Sequence, residues 1–301
     1  MPRPAGTENR KTTKLIATAV TILDTESPMT IRQLFYRLVS SGLIPNDRKH
    51  YQLVSRVMTK ARDDGRCDFD AIVDRSRPQY SPNVFEDAGE YANVVQRGYR
   101  KDYWATQPNH VEIWVEKDAI IGSIEPTTNK LGVTIRVGRG FLSTTKAHEI
   151  ASHFASIDKP ITVFYLGDHD PSGHDIERDL YARITNYGSG SFELRRLAIH
   201  KRDIALFNLP PLRIKDTDKR AAQFRAQHGE QCVELDALPP DELRERIKDA
   251  VEELQDGELW NRAVAVEEVE MASIHDAAVM WKRMRSKPTG EPPLPNVGEM
   301  S

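Results

Sequence analysis

The sequence predicts an α/β fold in two parts, an N-terminal winged helix-turn-helix followed by a segment built on a parallel sheet. Two observations carry this expectation. Three short amphipathic patterns between residues 14 and 64 precede an alternating stretch rich in Arg, Pro and Ser. The rhythm then changes to short apolar runs separated by helical patterns, which is how strands covered on both faces read. At 301 residues the chain is also longer than one ordinary domain.

Residues 1–11 are polar and proline-containing and are expected to be disordered. Leu15, Ile16, Ala19, Val20 and Leu23 form one stripe, which predicts a first helix over 14–23. After Ser27-Pro28, Thr30 can cap a second helix over 31–40, closed by Ser41-Gly42 and Pro45. A third helix is expected over 50–64, ending at Gly65, with Gln52, Arg56, Thr59 and Lys60 on its polar face and Leu53, Val54, Val57 and Met58 on its apolar one. The alternation from Asp68 to Asp74 and onwards would supply the hairpin of the wing. Strands follow at 111–115, 133–137, 161–166 and 232–235, with helices at 145–156 and 241–254. The expected domains are 12–105 for the winged helix and 106–255 for the sheet, then helices over 256–286 and a loose tail at 287–301.

Hydrophobic residues at 39% and charged residues at 29% describe a globular protein. The longest apolar candidate, 15–23, is interrupted by threonines and stops at Asp24, well short of the roughly 20 residues that span a bilayer. The N-terminus has no apolar core of a secretion signal, so a cytoplasmic protein with no membrane partner is expected. Cys67 and Cys232 are too few for a disulfide scaffold or a zinc site of their own. The net charge of −3 gives no general affinity for nucleic acid, but it is unevenly spread: residues 10–66 hold 11 Lys/Arg against 5 Asp/Glu, and residues 230–301 hold 8 against 17. The N-terminal part therefore suits phosphates, which the C-terminal part would repel.

Glu116 directly follows the strand expected at 111–115, and Asp168 and Asp170 follow the one at 161–166, in Gly167-Asp168-His169-Asp170-Pro171-Ser172-Gly173. Ligands of open parallel sheets bind at the carboxyl ends of strands, so these three carboxylates can converge. Such an oxygen-only set suits Mg2+ or Mn2+. Asp170 could equally do no more than cap the next helix. His148, His153 and His169 could be drawn into a metal site but read as solvent-facing, because hard cations prefer oxygen.

On the second helix Ile31, Leu34, Phe35 and Leu38 form the stripe to be buried, which leaves Arg32 and Tyr36 four apart on a neighbouring face. Both could reach one phosphate, the arginine bidentately. A tyrosine beside a core phenylalanine is also an ordinary half-buried packing residue. Arg37, Arg56, Lys60 and Lys146 are the basic candidates for contact with DNA.

Glu116-Lys117-Asp118-Ala119 after one strand and Asp168-x-Asp170-Pro171-x-Gly173 after another closely resemble the Toprim domain. That resemblance implies a Rossmann-like sheet whose Glu and Asp-x-Asp hold Mg2+ in topoisomerases, primases and related nucleases. Between them, Gly138-Arg139-Gly140-Phe141 resembles a Gly-x-Gly-aromatic turn that lies against DNA in one branch of the superfamily, although Leu142 stands where that branch usually has proline. Phe141 is thus either a DNA contact or a core aromatic at a strand end.

Arg32-x-x-Phe35-Tyr36 on a CAP-like winged helix, followed by this Toprim pattern, resembles the A subunit of topoisomerase VI and the meiotic double-strand-break transesterase, over about residues 28–240. The resemblance implies a type IIB topoisomerase-like isomerase that cuts double-stranded DNA by tyrosine transesterification. Tyr36 matches the nucleophile, Arg32 the basic residue one turn before it, and Glu116, Asp168 and Asp170 the Mg2+ site; the product would be a 5′-phosphotyrosyl link. It further implies a homodimer in which the tyrosine of one protomer meets the metal site of the other. The chain reads as a shortened homologue without the N-terminal extension that docks the ATPase B subunit. It contains no P-loop and hence no ATP site, and a separate ATPase partner stays open. Two other functions remain: a Toprim nuclease in which water attacks, and a non-catalytic winged-helix DNA-binding protein.

Overall fold

The computed structural model describes residues 10–73, 82–85, 87–138, 140–214 and 217–285. It is an α/β protein with a four-stranded parallel sheet and, among the described residues, eleven α-helices. No described helix is long and apolar enough to cross a membrane. The chain divides into two compact units, Met1–Pro78 with Pro108–Gln255, and Gln79–Gln107 with Asp256–Ser301. The first helices share a unit with the sheet.

In the larger unit α1 (Arg10–Glu26) buries Leu15, Ile16, Ala19 and Leu23. It starts ahead of the expected helix, inside the stretch 1–11 expected to be disordered; residues 1–9 lie outside the described ones. α2 (Ile31–Ser40) begins with a full capping box, Thr30 Oγ1 accepting from Gln33 N and Gln33 Oε1 accepting from Thr30 N. Gln33 is itself fully buried and donates to Ser123 Oγ, 3.2 Å away. α3 (Arg48–Asp63), capped by Asp47, buries Val54, Val57, Met58 and Ala61 and leaves Gln52, Arg56, Thr59 and Lys60 exposed, as its two-faced sequence requires.

The expected wing hairpin is not formed among the described residues. Ile72 makes only an isolated parallel bridge to Met29, and α4 (Ala88–Gly98), capped by Asp87, takes up part of the stretch. Residues 74–81 and 86 lie outside the described residues.

The sheet runs in the order β2-β1-β3-β4, all parallel, from β1 (His110–Val115), β2 (Thr134–Val137), β3 (Ile161–Leu166) and β4 (Glu193–Ala198). β3 is buried at every position, the mark of a central strand covered on both faces. Trp114, paired in register with Tyr165, packs with Val163 against Ile150 and Phe154 of α6 (Thr144–Ala155) and Ile176 and Leu180 of α7 (Pro171–Asn186). The opposite face carries α5 (Ile121–Lys130) and α10 (Pro240–Glu253). Arg244 of α10 donates to Ser123 O (2.9 Å), Glu26 O (2.9 Å) and Pro28 O (3.3 Å), fastening the N-terminal helices to the sheet layer.

Beyond β4 come α8 (Lys201–Leu206), β5 (Leu212–Arg213), α9 (Ala221–His228) and β6 (Gln231–Cys232). The strand expected at 232–235 reduces to β6, antiparallel to β5, and a bridge of Val233 to His169. Leu235–Ala237 turns as a 3-10 helix instead, because both neighbours in this corner are short. Cys67 and Cys232 are free and buried.

The smaller unit pairs α4 with the long α11 (Gly257–Arg285). Lys101 N donates to Glu267 (2.9 Å), Lys101 Nζ pairs with Glu270 (3.0 Å), and Tyr103 packs on Trp260 with ring centres 4.6 Å apart. The expected tail at 287–301 lies outside the described residues.

Candidate functional site

The chain leaves β1 to build β2 on one side, then returns to build β3 on the other, so a switch point lies between the carboxyl ends of β1 and β3. Glu116 and Asp168 leave these two ends. Glu116 Oε2 accepts from Asp168 N at 2.9 Å, and Asp168 Oδ1 accepts from Leu235 N at 2.9 Å. Asp170 caps α7, its Oδ1 accepting from Gly173 N at 2.7 Å. Gly173 is where the chain must pass closely: a Cβ there would lie 2.4 Å from Asp168 O and 3.2 Å from Glu116 Oε2. The three expected carboxylates are thus brought together, and Asp170 does perform the capping role.

Two acids that the sequence reading passed over join them. Lys117 Nζ lies 2.7 Å from Asp168 Oδ2, 3.7 Å from Glu234 Oε2 and 3.8 Å from Asp236 Oδ2. Arg32 pairs with Glu234 and lies 3.9 Å from Asp236. An unbroken run of ion pairs, Arg32–Glu234–Lys117–Asp168, therefore joins α2 to the strand ends within one chain. The signal in the sequence was Glu234-Leu235-Asp236 itself, acids flanking a buried leucine, though nothing local tied it to the other carboxylates.

The pocket has the donors and the charge imbalance of a hard-cation site. Five carboxylates are set against Lys117 and Arg32, and Asp236 Oδ1 is buried without a hydrogen-bond partner among the described residues, in a side chain 2% exposed. Burial, with the neighbouring Asp168 charge, raises Glu116 well above the usual carboxylate range. Burial likewise raises Asp170 and Asp236. Burial works against the Lys117 ammonium, but Asp168, Asp236 and Glu234 outweigh it and raise Lys117 above an ordinary lysine. Glu116, Asp168 and Asp170, with Asp236 behind them, could hold a divalent cation through oxygen alone.

Tyr36 is 5% exposed and packs on Phe35 with ring centres 5.3 Å apart. Burial and the Glu234 charge push its phenol up to about 12, against the opposing pull of Arg32. It lines a cavity of about 320 Å3 with Arg32, Phe35, Asn46, Asp47, Arg48 and Tyr51. Arg48, in the first turn of α3, is a second cation here that the sequence reading had not singled out.

The other expected residues lie elsewhere. Arg37 is held by Glu26 through two bonds of 2.7 and 2.8 Å, so it turns towards α1. Arg56 and Lys60 are exposed on α3. Lys146, in the first turn of α6, pairs with Glu149 at 2.9 Å. Phe141 is 46% exposed, which removes its reading as a core aromatic; Arg139 of the same turn lies outside the described residues. His148 and His153 are exposed as expected, but His169 is 1% exposed. Its antiparallel bridge to Val233 folds the loop inward, and burial pushes its imidazole down to about 4.

No protein-family model matches the chain, and no curated protein is found to match it.

Proposed function

We propose that the chain is a Mg2+-dependent DNA-cleaving transesterase of the topoisomerase VI A-subunit type, with Tyr36 as nucleophile. The observation that carries this reading is the ion-pair run Arg32–Glu234–Lys117–Asp168, which links a tyrosine in a cationic cavity to the carboxylate cluster of the same chain, so the reading departs from the pairing across two protomers that the resemblance implies. In this reading α1 to α3 are the head of a winged-helix domain, residues 106–255 are a Toprim body, and Arg56 and Lys60 on the open face of α3 meet backbone phosphates.

A phenol at about 12 is ionised to about one part in 10^5 at pH 7, so Tyr36 is a poor nucleophile at rest. Arg32 is the residue that stabilises the phenolate, and its grip on a DNA phosphate would require release from Glu234. The phenolic oxygen forms a bond to phosphorus, the bond from phosphorus to the 3′ oxygen breaks, and the phenol's proton ends on that oxygen. Held by Glu116, Asp168 and Asp170, Mg2+ would supply Lewis-acid polarisation of the phosphate and charge for the leaving oxygen. Lys117 orients the Asp168 carboxylate through their 2.7 Å ion pair. Cutting both strands needs two tyrosines and hence two copies of the chain, so dilution to monomer abolishes double-strand breaks.

The test incubates pure protein with supercoiled plasmid and Mg2+, stops with detergent, and looks for protein on 5′ ends. Wild type forms the link and Tyr36→Phe does not. Free 5′ phosphates from both proteins would overturn the reading in favour of a Toprim nuclease, the alternative that Tyr36's burial beside Phe35 favours.

A further inference from the structure

We infer that His169, His174 and His228 form a binding site for a zinc-class transition-metal ion, distinct in chemistry from the carboxylate pocket beside it. One ligand atom from each of these residues lies within 4.8 Å of the other two. His169 Nδ1 and His174 Nε2 are 3.0 Å apart, close to the edge of about 3.3 Å that a tetrahedron with zinc–nitrogen bonds near 2.05 Å requires. The His174 and His228 rings stack with centres 4.1 Å apart and 27° between their planes, so His228 must turn out of the stack to aim a nitrogen at the same ion.

The three imidazoles come from three separately anchored pieces of backbone. His169 is pinned by paired bonds with Val233, 2.9 and 3.0 Å long. His174 belongs to the first turns of α7, and His228 is the last residue of α9, whose helix ends at once on Gly229 with φ of 92°. Ligands held by the backbone in this way carry little ordering cost on binding.

His169 is 1% exposed, so water hardly competes for the Nδ1 that faces His174. Phe224 packs on the cluster, its ring centre 5.3 Å from His169, 5.6 Å from His174 and 4.9 Å from His228. His174, His228 and Phe224, with Arg178 and Arg220, line a cavity of about 220 Å3, which opens the cluster to solvent and leaves a fourth position for water. The nearby Arg196 is neutralised by Glu177 at 2.7 Å.

Imidazole nitrogen selects zinc, cobalt, nickel or copper over magnesium, so the two neighbouring sites sort ions by donor type. The other cluster of this kind, His110, Glu112 and His153, is less suited: Glu112 is already engaged by the fork of Arg136 and by Trp114 Nε1.

The test strips the full chain with chelator, then titrates Zn2+ by calorimetry and Co2+ by visible absorption, in excess Mg2+. One Zn2+ per chain, undisplaced by Mg2+, and the strong visible bands of tetrahedral Co2+ are expected. His174→Gln and His228→Gln each weaken Zn2+ binding by more than about tenfold, the smallest loss that even an outer partner of a ligand brings, while Glu116→Gln leaves it intact. Wild-type protein that binds no Zn2+ in Mg2+, unchanged binding in both His variants, or loss in Glu116→Gln alone would overturn the inference. The first of these outcomes does not depend on whether any variant folds.

Discussion

Replacing Gly173 by Ala sets two effects of opposite sign against each other at the centre of the pocket. Gly173 is the third residue of α7, where alanine's better helix propensity alone would stabilise by up to about 1 kcal/mol. The new Cβ, however, would sit 2.4 Å from Asp168 O and 3.1 Å from its carbonyl carbon, whereas ordinary contact begins at 3.4 Å. The obstacle is backbone, held by Arg196 Nη1 at 3.1 Å, so it cannot swing aside as a side chain would. Relief requires the Asp168 loop to move by about the 1 Å difference between 2.4 and 3.4 Å, and overpacking of this sort costs about 1–3 kcal/mol. Sterics therefore match or exceed the propensity gain, with net destabilisation of about 0–2 kcal/mol. The same shift pulls Asp168 and Glu116 apart, so stabilisation by saturating Mg2+, about 2.7 kcal/mol at 100 times Kd for an intact site, should largely disappear. Urea unfolding with and without Mg2+ reads both quantities. A variant more stable than wild type that keeps its full Mg2+ increment would refute this account of the pocket.

Asp170→Ser should keep the α7 cap and wild-type stability within about 0.5 kcal/mol, while Asp170→Ala loses about 1 kcal/mol; if Asp170 also holds Mg2+, both lose cleavage, and a fully active Asp170→Ser would reduce the residue to a cap. Glu112 is buried, but bonds from His110, Arg136 and Trp114 outweigh that burial and hold it at about 2, below its ordinary 4.5. Its ionised form thus contributes about 3 kcal/mol that is present above pH 4.5 and lost as pH falls towards 2. Denaturant titrations across this window should show Glu112→Gln with a flatter acid limb than wild type, and parallel curves would contradict it. Phe154, 1% exposed and packed between Trp114 and Phe192, should cost about 3–5 kcal/mol on truncation to Ala, measured by thermal or urea unfolding; a loss below about 1 kcal/mol would mean the α6 face is not core.

Much of this architecture is local information. Six buried residues in a row, 161–166, all apolar but Thr162, specify a central parallel strand, and Thr30 with Gln33 specifies the start of α2. Glu116, Asp168 and Asp170 were legible as a site because the ligand-binding end of a parallel strand is simply its next residue in sequence. β4 was not legible: Glu193, Arg195 and Arg196 put charges on an edge strand, Arg195 pairing with Glu193 at the surface and Arg196 turning inward to Glu177 and the Asp168 carbonyl, which hides its alternation. For the wing, period-2 alternation over a few residues does not by itself specify a hairpin, and residues 74–81 lie outside the described ones.

What the sequence determined by itself, then, is the class of fold and which acids end its strands, since both follow from nearest-neighbour preferences and periodicity. The tertiary structure decided which distant charges share a pocket. Leu235 reaches Asp168 across 67 residues, Arg244 reaches Glu26 across 218, and Lys117 stands among acids from two segments. It also turned His169 from a loop residue into the buried partner of His174 and His228. Such groupings arise only when the apolar faces of β1, β3, α5 and α10 are buried together, because that burial, and no local preference, draws these polar ends to one edge of the sheet.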